Sequence, residues 1–398
     1  MFANKNVVLG VTGSISAYKA VDLASKLTQE GIQVHVVMTR SATEFVSPLS
    51  FRSITHRPVV TEMFDLASEF SVEHVALAEL ADVVVVAPAT ANIIAMMASG
   101  MADDMISCTV LATRAPVIVA PAMNVGMYEN SITQENIARL KSRGFVIAGP
   151  THGRLASGAV GTGRLVENDV ILGTIYSVLG RGGDLAGKRI VVSAGGTQEP
   201  IDPVRYISNR SSGKMGYAVA EAARNRGAAV TLVTTPTALT PPAGVEIKPV
   251  DTALHMRDAV LKATAKADAI IMVAAVADYR PASTSKGKIK RKADTLSLEL
   301  VKTPDILSEV RGDIVKVGFA AESGDPTASA KSKVVSKKLD LIVANDITAK
   351  DSGFATDTNR VSFIDSKGKV EKLPLMLKSE VAHKIMDRVA ALLAKKSN

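Results

Sequence analysis

At 398 residues, 47% apolar and 22% charged, the chain has the balance of a folded globular protein and exceeds a single core, so two domains of roughly 180 to 210 residues are expected. With no Trp and 4% aromatics the cores must be aliphatic, and one cysteine, Cys108, excludes an internal disulfide framework or a cysteine-built metal site. The net charge of +8 is uneven: residues 1–187 hold 13 Lys and Arg against 16 Asp and Glu, residues 188–398 hold 34 against 23, so the basic excess belongs to a rear half suited to polyphosphate.

No segment approaches the roughly 18 uninterrupted apolar residues of a membrane-spanning helix, and the N-terminus runs into a strand without a cleavage site. A cytoplasmic protein without a membrane partner is therefore expected. Cys108 reads as a small buried apolar residue in a helix-like segment.

In chain order, NVVLGVTGSISAYKAVDLASKLTQEGIQVHVVMT predicts a buried strand, a Gly/Ser turn, an amphipathic helix ending at Gly31, and a second strand. The rear half echoes it: KRIVVSAGGTQEP supplies strand and turn, and YAVAEAARNRGAAVTLVTT supplies helix, Gly227 stop and strand. Each half then adds a further strand, ADVVVVAPATAN from Ala81 and ADAIIMVAAVADYR from Ala267. Runs such as Val83 to Val86 suit strands covered on both faces. The fold class is α/β: two doubly wound Rossmann-like domains, residues 1–180 and 188–398, with ligands expected beyond the carboxyl ends of the strands. The Gly-rich stretch Gly180 to Gly187 has the composition of a linker.

Gly13-Ser14-Ile15-Ser16 opens the first helix, where amides and hydroxyls are placed for phosphate; a tight turn with a serine cap reads equally well. There is no GxGxxG fingerprint, and the second strand closes in Met38-Thr39-Arg40 without an acid, which argues against NAD. GSIS, MTRSA, His74 ahead of ADVVVVAPATAN, Pro121-Ala122-Met123-Asn124 with Met127, and LASGAVGTGRL at Leu155 to Leu165 together resemble the flavin-dependent cysteine decarboxylases, across residues 1 to about 180. The resemblance implies a flavodoxin-like half that uses FMN to oxidise a cysteinyl substrate and so release its carboxylate. It implies that Gly13, Ser14, Ile15, Thr39, Thr90 and Asn92 contact FMN, that His74 is a base, and that Asn124 and Met127 hold the substrate carboxylate. A neutral imidazole accepts a proton near neutral pH, and an amide orients a carboxylate without neutralising it. The sequence departs from the family at Ser157, where a cysteine is usual. An alcohol is a far weaker acid than a thiol, so Ser157 either still donates the proton, is replaced by another group, or leaves the domain at the oxidised enethiol.

In the rear half, Ser193-Ala194-Gly195-Gly196-Thr197 follows a strand, and SNRSSGKMG at Ser208 to Gly216 gathers amide, guanidinium, hydroxyls, glycines and an ammonium before a helix. Five cations, Lys286, Lys288, Lys290, Arg291 and Lys292, crowd seven residues after AAVADYRPAS. A nucleic-acid patch is disfavoured, because no Phe or Tyr lies between Tyr279 and Phe319 to stack on bases. DPVRYISNRSSGKMG, AAVADYR, KIKR, KTPDIL, GFAAES and AND at Ala344 to Asp346 resemble phosphopantothenate–cysteine ligase of the bacterial, CTP-using type, over about residues 188 to 390. That resemblance implies that CTP and Mg²⁺ activate phosphopantothenate as an acyl-cytidylate, which the amine of cysteine then attacks. By position, Asn209 holds the acyl-cytidylate and Lys288 stabilises charge at phosphorus. Ala274, Asp278, Pro304, Asp305, Ile306, Leu307, Phe319, Lys333 and Lys337 form the nucleotide pocket, with Asp278 also a candidate for Mg²⁺. On a helix, Lys333 and Lys337 would address one phosphate chain.

The two halves together resemble the fused bacterial enzymes of coenzyme A biosynthesis. This implies ligation of cysteine to 4′-phosphopantothenate, decarboxylation to 4′-phosphopantetheine, and ligase dimers with decarboxylase trimers combining in a dodecamer. The rival from another class is a flavin- and nucleotide-binding regulatory protein.

Overall fold

The computed structural model describes residues 1–63, 73–290, 295–322, 333–334, 336–346 and 356–397. Arg291 and Lys292 of the basic run and Ser323 lie outside them. The chain divides into two compact units, Met1–Leu179 and Gly180–Asn398.

In the front unit the strands are β1 (Asn6–Val11), β2 (Gln33–Met38), β3 (Val59–Val60), β4 (Val83–Ala89), β5 (Val117–Pro121) and β6 (Val146–Ile147), followed by the antiparallel hairpin β7 (Thr151–Arg154) and β8 (Val160–Arg164). The first six form a parallel sheet in the order β3-β2-β1-β4-β5-β6. Without the two-residue β3 this is the five-strand order of flavodoxin-like sheets. Alternate residues enter opposite cores: Val7, Leu9 and Val11 join one cluster, Val8 the other, and β4 divides the same way, with Val83 and Val85 against Val84 and Val86. Each of these fully buried valines contributes roughly 1.5–3 kcal/mol of transfer free energy, which is why an unbroken valine run is stable only in a sheet covered on both faces.

The helix Ala17–Gln29 buries Ala17, Ala20, Leu23, Ala24 and Leu27, a helical stripe whose alanines admit close approach to the sheet. Gly31 then takes φ +77°, a left-handed stop. Cys108, in the helix Met105–Ala112, is half-buried rather than buried: its Sγ lies 3.5 Å from the Ala102 carbonyl, at a margin of the helix packing.

His35 on β2 lies 3.2 Å from Asn6 Oδ1, and burial, with a smaller contribution from the charge of Arg57, pushes its imidazole down to about 4. The folded chain thus binds this proton more weakly than the unfolded chain, whose histidine titrates near 6.5. Acidification between those values favours unfolding. Thermal unfolding of the front unit should therefore fall in midpoint between pH 7 and pH 4.5 more steeply in the wild type than in His35→Gln, and identical slopes would rule His35 out as the cause.

The rear unit comprises β9 (Arg189–Ala194), the hairpin β10 (Gln198–Pro200) and β11 (Tyr206–Ser208), β12 (Ala229–Thr234), β13 (Glu246–Pro249), β14 (Ala269–Met272), the hairpin β15 (Tyr279–Pro281) and β16 (Leu300–Lys302), β17 (Val315–Glu322), β18 (Leu341–Asp346), β19 (Thr358–Asn359), β20 (Val361–Asp365), β21 (Val370–Lys372) and β22 (Met376–Leu377). Its main sheet runs β13-β12-β9-β14-β17-β18-β20-β21. The first six are parallel in the Rossmann order, and β20 and β21 extend the sheet antiparallel. The helix Lys214–Arg224 and the C-terminal helix Lys378–Ser397 lie on one face.

The Gly-rich stretch is not a loose linker within this unit. A Cβ on Gly180 would stand 2.3 Å from the Asn225 carbonyl oxygen and one on Gly183 2.4 Å from that of Arg226, while Leu185 is buried and Asp184 pairs with the buried Arg226. The glycines serve close backbone packing, a use that composition does not distinguish from flexibility.

Candidate active sites

In the front unit, Thr12 Oγ1 donates to the Pro88 carbonyl at 2.7 Å and accepts from the Thr90 amide at 3.1 Å, locking the ends of β1 and β4 together. A Cβ on Gly13 would meet Ser41 Cβ at 2.5 Å, so the turn that follows admits only glycine at this position. The helix Ala17–Gln29 opens there, and its Ser16 cap makes no side-chain hydrogen bond to the first-turn amides. On the other side, the Met123 amide donates to the Gly163 carbonyl at 2.9 Å, which clasps the β7–β8 hairpin onto the loop after β5.

These elements enclose a cleft of about 420 Å³, lined by Gly13, Ser14, Ile15, Thr90, Asn124, Met127 and Ser157 among others. Asn124 caps the next helix: its Oδ1 accepts from the Gly126 amide at 3.0 Å, and its Nδ2 donates to Ser157 Oγ at 3.2 Å. One amide side chain thus reaches across the cleft to the hydroxyl at which the sequence departs from its family. Three predicted residues do not line the cleft. Thr39 accepts from the Ala42 amide at 3.2 Å, Asn92 is exposed, and His74 is half-buried in the first turn of the helix Glu73–Leu80. Tyr18, Lys19, Arg154 and Arg164 line it without having been singled out; only their proximity to the turn and the LASG segment hinted at them.

The rear unit holds a larger cleft, about 600 Å³, beyond the ends of β9, β14, β17 and β18. Asn209, Ala274, Asp278, Pro304, Asp305, Ile306, Leu307, Phe319, Lys333 and Lys337 all line it. Gly195, at φ +83°, would place a Cβ 2.0 Å from Thr235 Oγ1, so the turn after β9 demands glycine. Asn209 Nδ2 donates to the carbonyl of Val276 at 3.0 Å and approaches that of Ala275 at 3.5 Å, bracing the loop before the helix Lys214–Arg224 against the loop after β14. Lys337 stands 2.9 Å from Asp305, and its amide bonds the Lys333 carbonyl at 3.0 Å, one turn apart as the spacing predicts. Burial pushes the Asp305 carboxyl up, but Lys337 and the Ser308 amide pull it down further and leave it below the usual carboxylate range. The Asp278 carboxylate is exposed, with no hydrogen-bond or ion-pair partner among the described residues.

Lys288 is exposed and does not line the cleft. Its loop is pinned at Asp202, a buried residue that opens the DPVRYISNRSSGKMG block and to which the sequence assigned no role. The carboxylate accepts from the amides of Val204 at 2.8 Å, Arg205 at 2.9 Å and Ile289 at 3.1 Å, and these bonds hold it below its usual range. Lys288 is thereby tethered to the segment that leads through β11 to Asn209. Lys214, Lys378, Asn345 and Asn359 also line it; Lys214 and Asn345 fall within the SNRSSGKMG and AND blocks without an individual role there, and Lys378 and Asn359 had no signal beyond their residue types.

Two family models match this chain: Flavoprotein over residues 1–180, and the DNA/pantothenate metabolism flavoprotein C-terminal domain over residues 185–393. The Bacillus subtilis coenzyme A biosynthesis bifunctional protein CoaBC is 44% identical over 98% of this chain and 98% of its own length. The chain belongs to this bifunctional family of coenzyme A biosynthesis. The CoaBC protein of Vibrio vulnificus strain CMCP6 is likewise 44% identical over 98% of both chains. A solved C-terminal domain of a CoaBC protein is 40% identical, covering 54% of this chain and 99% of its own, with a TM-score of 0.47. Membership extends over both units, so the chain is an enzyme with the family's decarboxylase and ligase activities, and the regulatory-protein reading is not favoured. Among the described residues, no helix is long and apolar enough to cross a membrane, and no three His, Cys, Asp or Glu side chains gather to hold a metal.

Proposed function

We propose that the rear unit ligates cysteine to 4′-phosphopantothenate with CTP and that the front unit decarboxylates the resulting 4′-phospho-N-pantothenoylcysteine to 4′-phosphopantetheine with FMN. What carries the reading is the family's bifunctional identity over the full length, joined to two clefts, one in each unit, that each begin at a phosphate-sized glycine turn after a first strand.

In the rear cleft a carboxylate oxygen of phosphopantothenate attacks the α-phosphorus of CTP, the bond to the bridging oxygen breaks, and pyrophosphate leaves. The cysteine amine then attacks the acyl carbon, CMP departs with its oxygen, and the amine gives up a proton. Such chemistry needs positioning and charge neutralisation more than covalent help from the protein. Lys333 and Lys337 supply charge, Phe319 a face for the base, and Asn209 a contact to the acyl chain. Asp278, an exposed and unpaired carboxylate, fits a Mg²⁺ that takes its other ligands from phosphate and water. Lys288, outside the lining, is assigned to phosphate through the Asp202-anchored loop.

The front cleft fits a flavin phosphate: the Gly13 turn has no room for a side chain, and Ser14, Ile15 and Ser16 line the cleft where the turn leads into a 13-residue helix. FMN, when bound, supplies reversible two-electron oxidation of the cysteinyl group. Ser14, Ile15 and Thr90 hold it, and Asn124 and Met127 orient the substrate carboxylate. Ser157 presents a hydroxyl at the same point. His74 does not line its own chain's cleft, and we assign it as a base to the cleft of a neighbouring copy in the trimer the resemblance implies.

Purified protein should be yellow and should sustain pyrophosphate release over many turnovers only when CTP, phosphopantothenate and cysteine are all present, yielding phosphopantetheine by mass. Colourless protein or CTP-independent amide formation overturns the assignment. A product two hydrogens lighter means that Ser157 leaves the front reaction at the enethiol.

A further inference from the structure

The front cleft carries more positive charge than the roles assigned so far use. Three cations line it, Lys19, Arg154 and Arg164, and among the described residues no Asp or Glu does. This runs against the balance of residues 1–187, where acids outnumber bases 16 to 13. The three cations are not equivalent. Lys19 Nζ stands 3.1 Å from one oxygen of Glu167 and Arg164 Nη2 2.8 Å from the other, so one carboxylate outside the lining is shared between them. Arg154 is exposed to the cleft with no hydrogen-bond or ion-pair partner for its side chain among the described residues. It closes β7 opposite Val160, and the turn that follows is tied back on itself by the Leu155 amide on the Ala159 carbonyl at 2.8 Å and the Gly158 amide on the Leu155 carbonyl at 2.9 Å. That turn carries Ser157, so at most about 10 Å of backbone separates Arg154 from the hydroxyl that meets Asn124.

An unpaired guanidinium in a cleft without acids suits an anion, and its fork of N–H donors fits a phosphate or a carboxylate. The front reaction brings three anionic groups. The flavin phosphate is assigned to the Gly13 turn, with Lys19 in the first turn of the helix that follows. The substrate carboxylate is assigned to Asn124, and a guanidinium paired with it would stabilise the charge that has to be lost as CO₂, which slows the reaction. The group left is the 4′-phosphate of the substrate, which the extended pantothenoyl chain sets on the order of 10 Å from the carboxylate. We propose that Arg154 binds this phosphate and makes the front cleft specific for the phosphorylated acyl-cysteine over its dephospho form. The inference rests on the decarboxylase reading and deepens it.

The test uses the full-length protein with FMN bound and a pair of substrates, 4′-phospho-N-pantothenoylcysteine and N-pantothenoylcysteine, with CO₂ release as the readout. The wild type should show the lower KM for the phosphorylated member. Arg154→Met should raise that KM about tenfold or more and leave the KM for the dephospho member within about twofold, so that the preference collapses. Arg154→Lys, which keeps a point charge but not the fork, should fall between the two. Flavin absorbance and the unfolding midpoint should match the wild type in both variants, because the side chain is exposed and unpaired. An equal rise in both KM values means that Arg154 addresses the carboxylate end, and lost flavin absorbance means that it holds the cofactor; either result overturns the proposal. So does a wild type without the preference, or an Arg154→Met variant that keeps it. A wild type that releases no CO₂ from either substrate rejects the decarboxylase reading and this inference with it, a result distinguishable from the others.

Discussion

Asn124→Leu should lower CO₂ release from phosphopantothenoylcysteine about 100-fold or more, the scale of losing one preorganised donor at a charged reacting group, while ligation stays within about twofold. The geometry explains why the loss exceeds that of an ordinary surface amide. Oδ1 is committed to the Gly126 amide, so the rotamer is fixed and Nδ2 points to Ser157 across the cleft. A substrate carboxylate placed there meets a donor already aimed, without the entropic cost of ordering it. Leucine also removes a helix cap, which costs about 1 kcal/mol of stability, so a second variant is needed to separate the effects. Asn124→Asp keeps the cap acceptor but sets a carboxylate against the substrate's own. It should keep the unfolding midpoint of the wild type and still lose decarboxylation. Activity retained in Asn124→Asp would show that the side chain serves only as a cap.

The layered fold was legible because its signals are local and strong. Val83 to Val86 specify a doubly covered strand by themselves, and the alanine stripe ending at Gly31 specifies a helix that lies close on it. The edge strands β20 and β21 were not legible as antiparallel additions, since their directions are set by pairing, β20 with β18 and β21 with β20, rather than by their own composition. The same division holds for the clefts. Gly13, Ser14 and Asn124 sit in turns directly after strands, where a doubly wound sheet must open its site. Ser157 meets Asn124 only because an antiparallel hairpin folds back over 33 residues, and its register depends on contacts such as Met123 to Gly163 that no motif announces. Thr39 and Asn92 have the right residue types near the right loops, yet one is spent on a helix cap and the other faces solvent. Asp202 is missed for the converse reason: an Asp near a turn is commonplace, and only burial with an over-met hydrogen-bonding demand makes it notable.

Asn209→Leu should lower pyrophosphate exchange about 100-fold or more, because the residue braces and contacts at once and acts before cysteine enters. Its Nδ2 is committed to the carbonyls of Val276 and Ala275, which holds the loop from Asn209 to Gly213 against the loop that carries Asp278. With the donors so spent, Oδ1 is left to accept from a hydroxyl or amide N–H of the pantothenoyl chain. Asn209→Asp keeps an acceptor oxygen but cannot donate to those carbonyls, so it separates the two duties. If bracing dominates, aspartate is as damaging as leucine and the KM values for CTP and phosphopantothenate rise together, since the loop drifts from both. If the contact dominates, aspartate retains much of the exchange rate and only leucine loses it, through phosphopantothenate. Because both variants leave the front cleft untouched, CO₂ release from added phosphopantothenoylcysteine should continue at the wild-type rate. Exchange at wild-type rate in Asn209→Leu would remove this residue from the ligase chemistry and leave the cleft's work to its lysines.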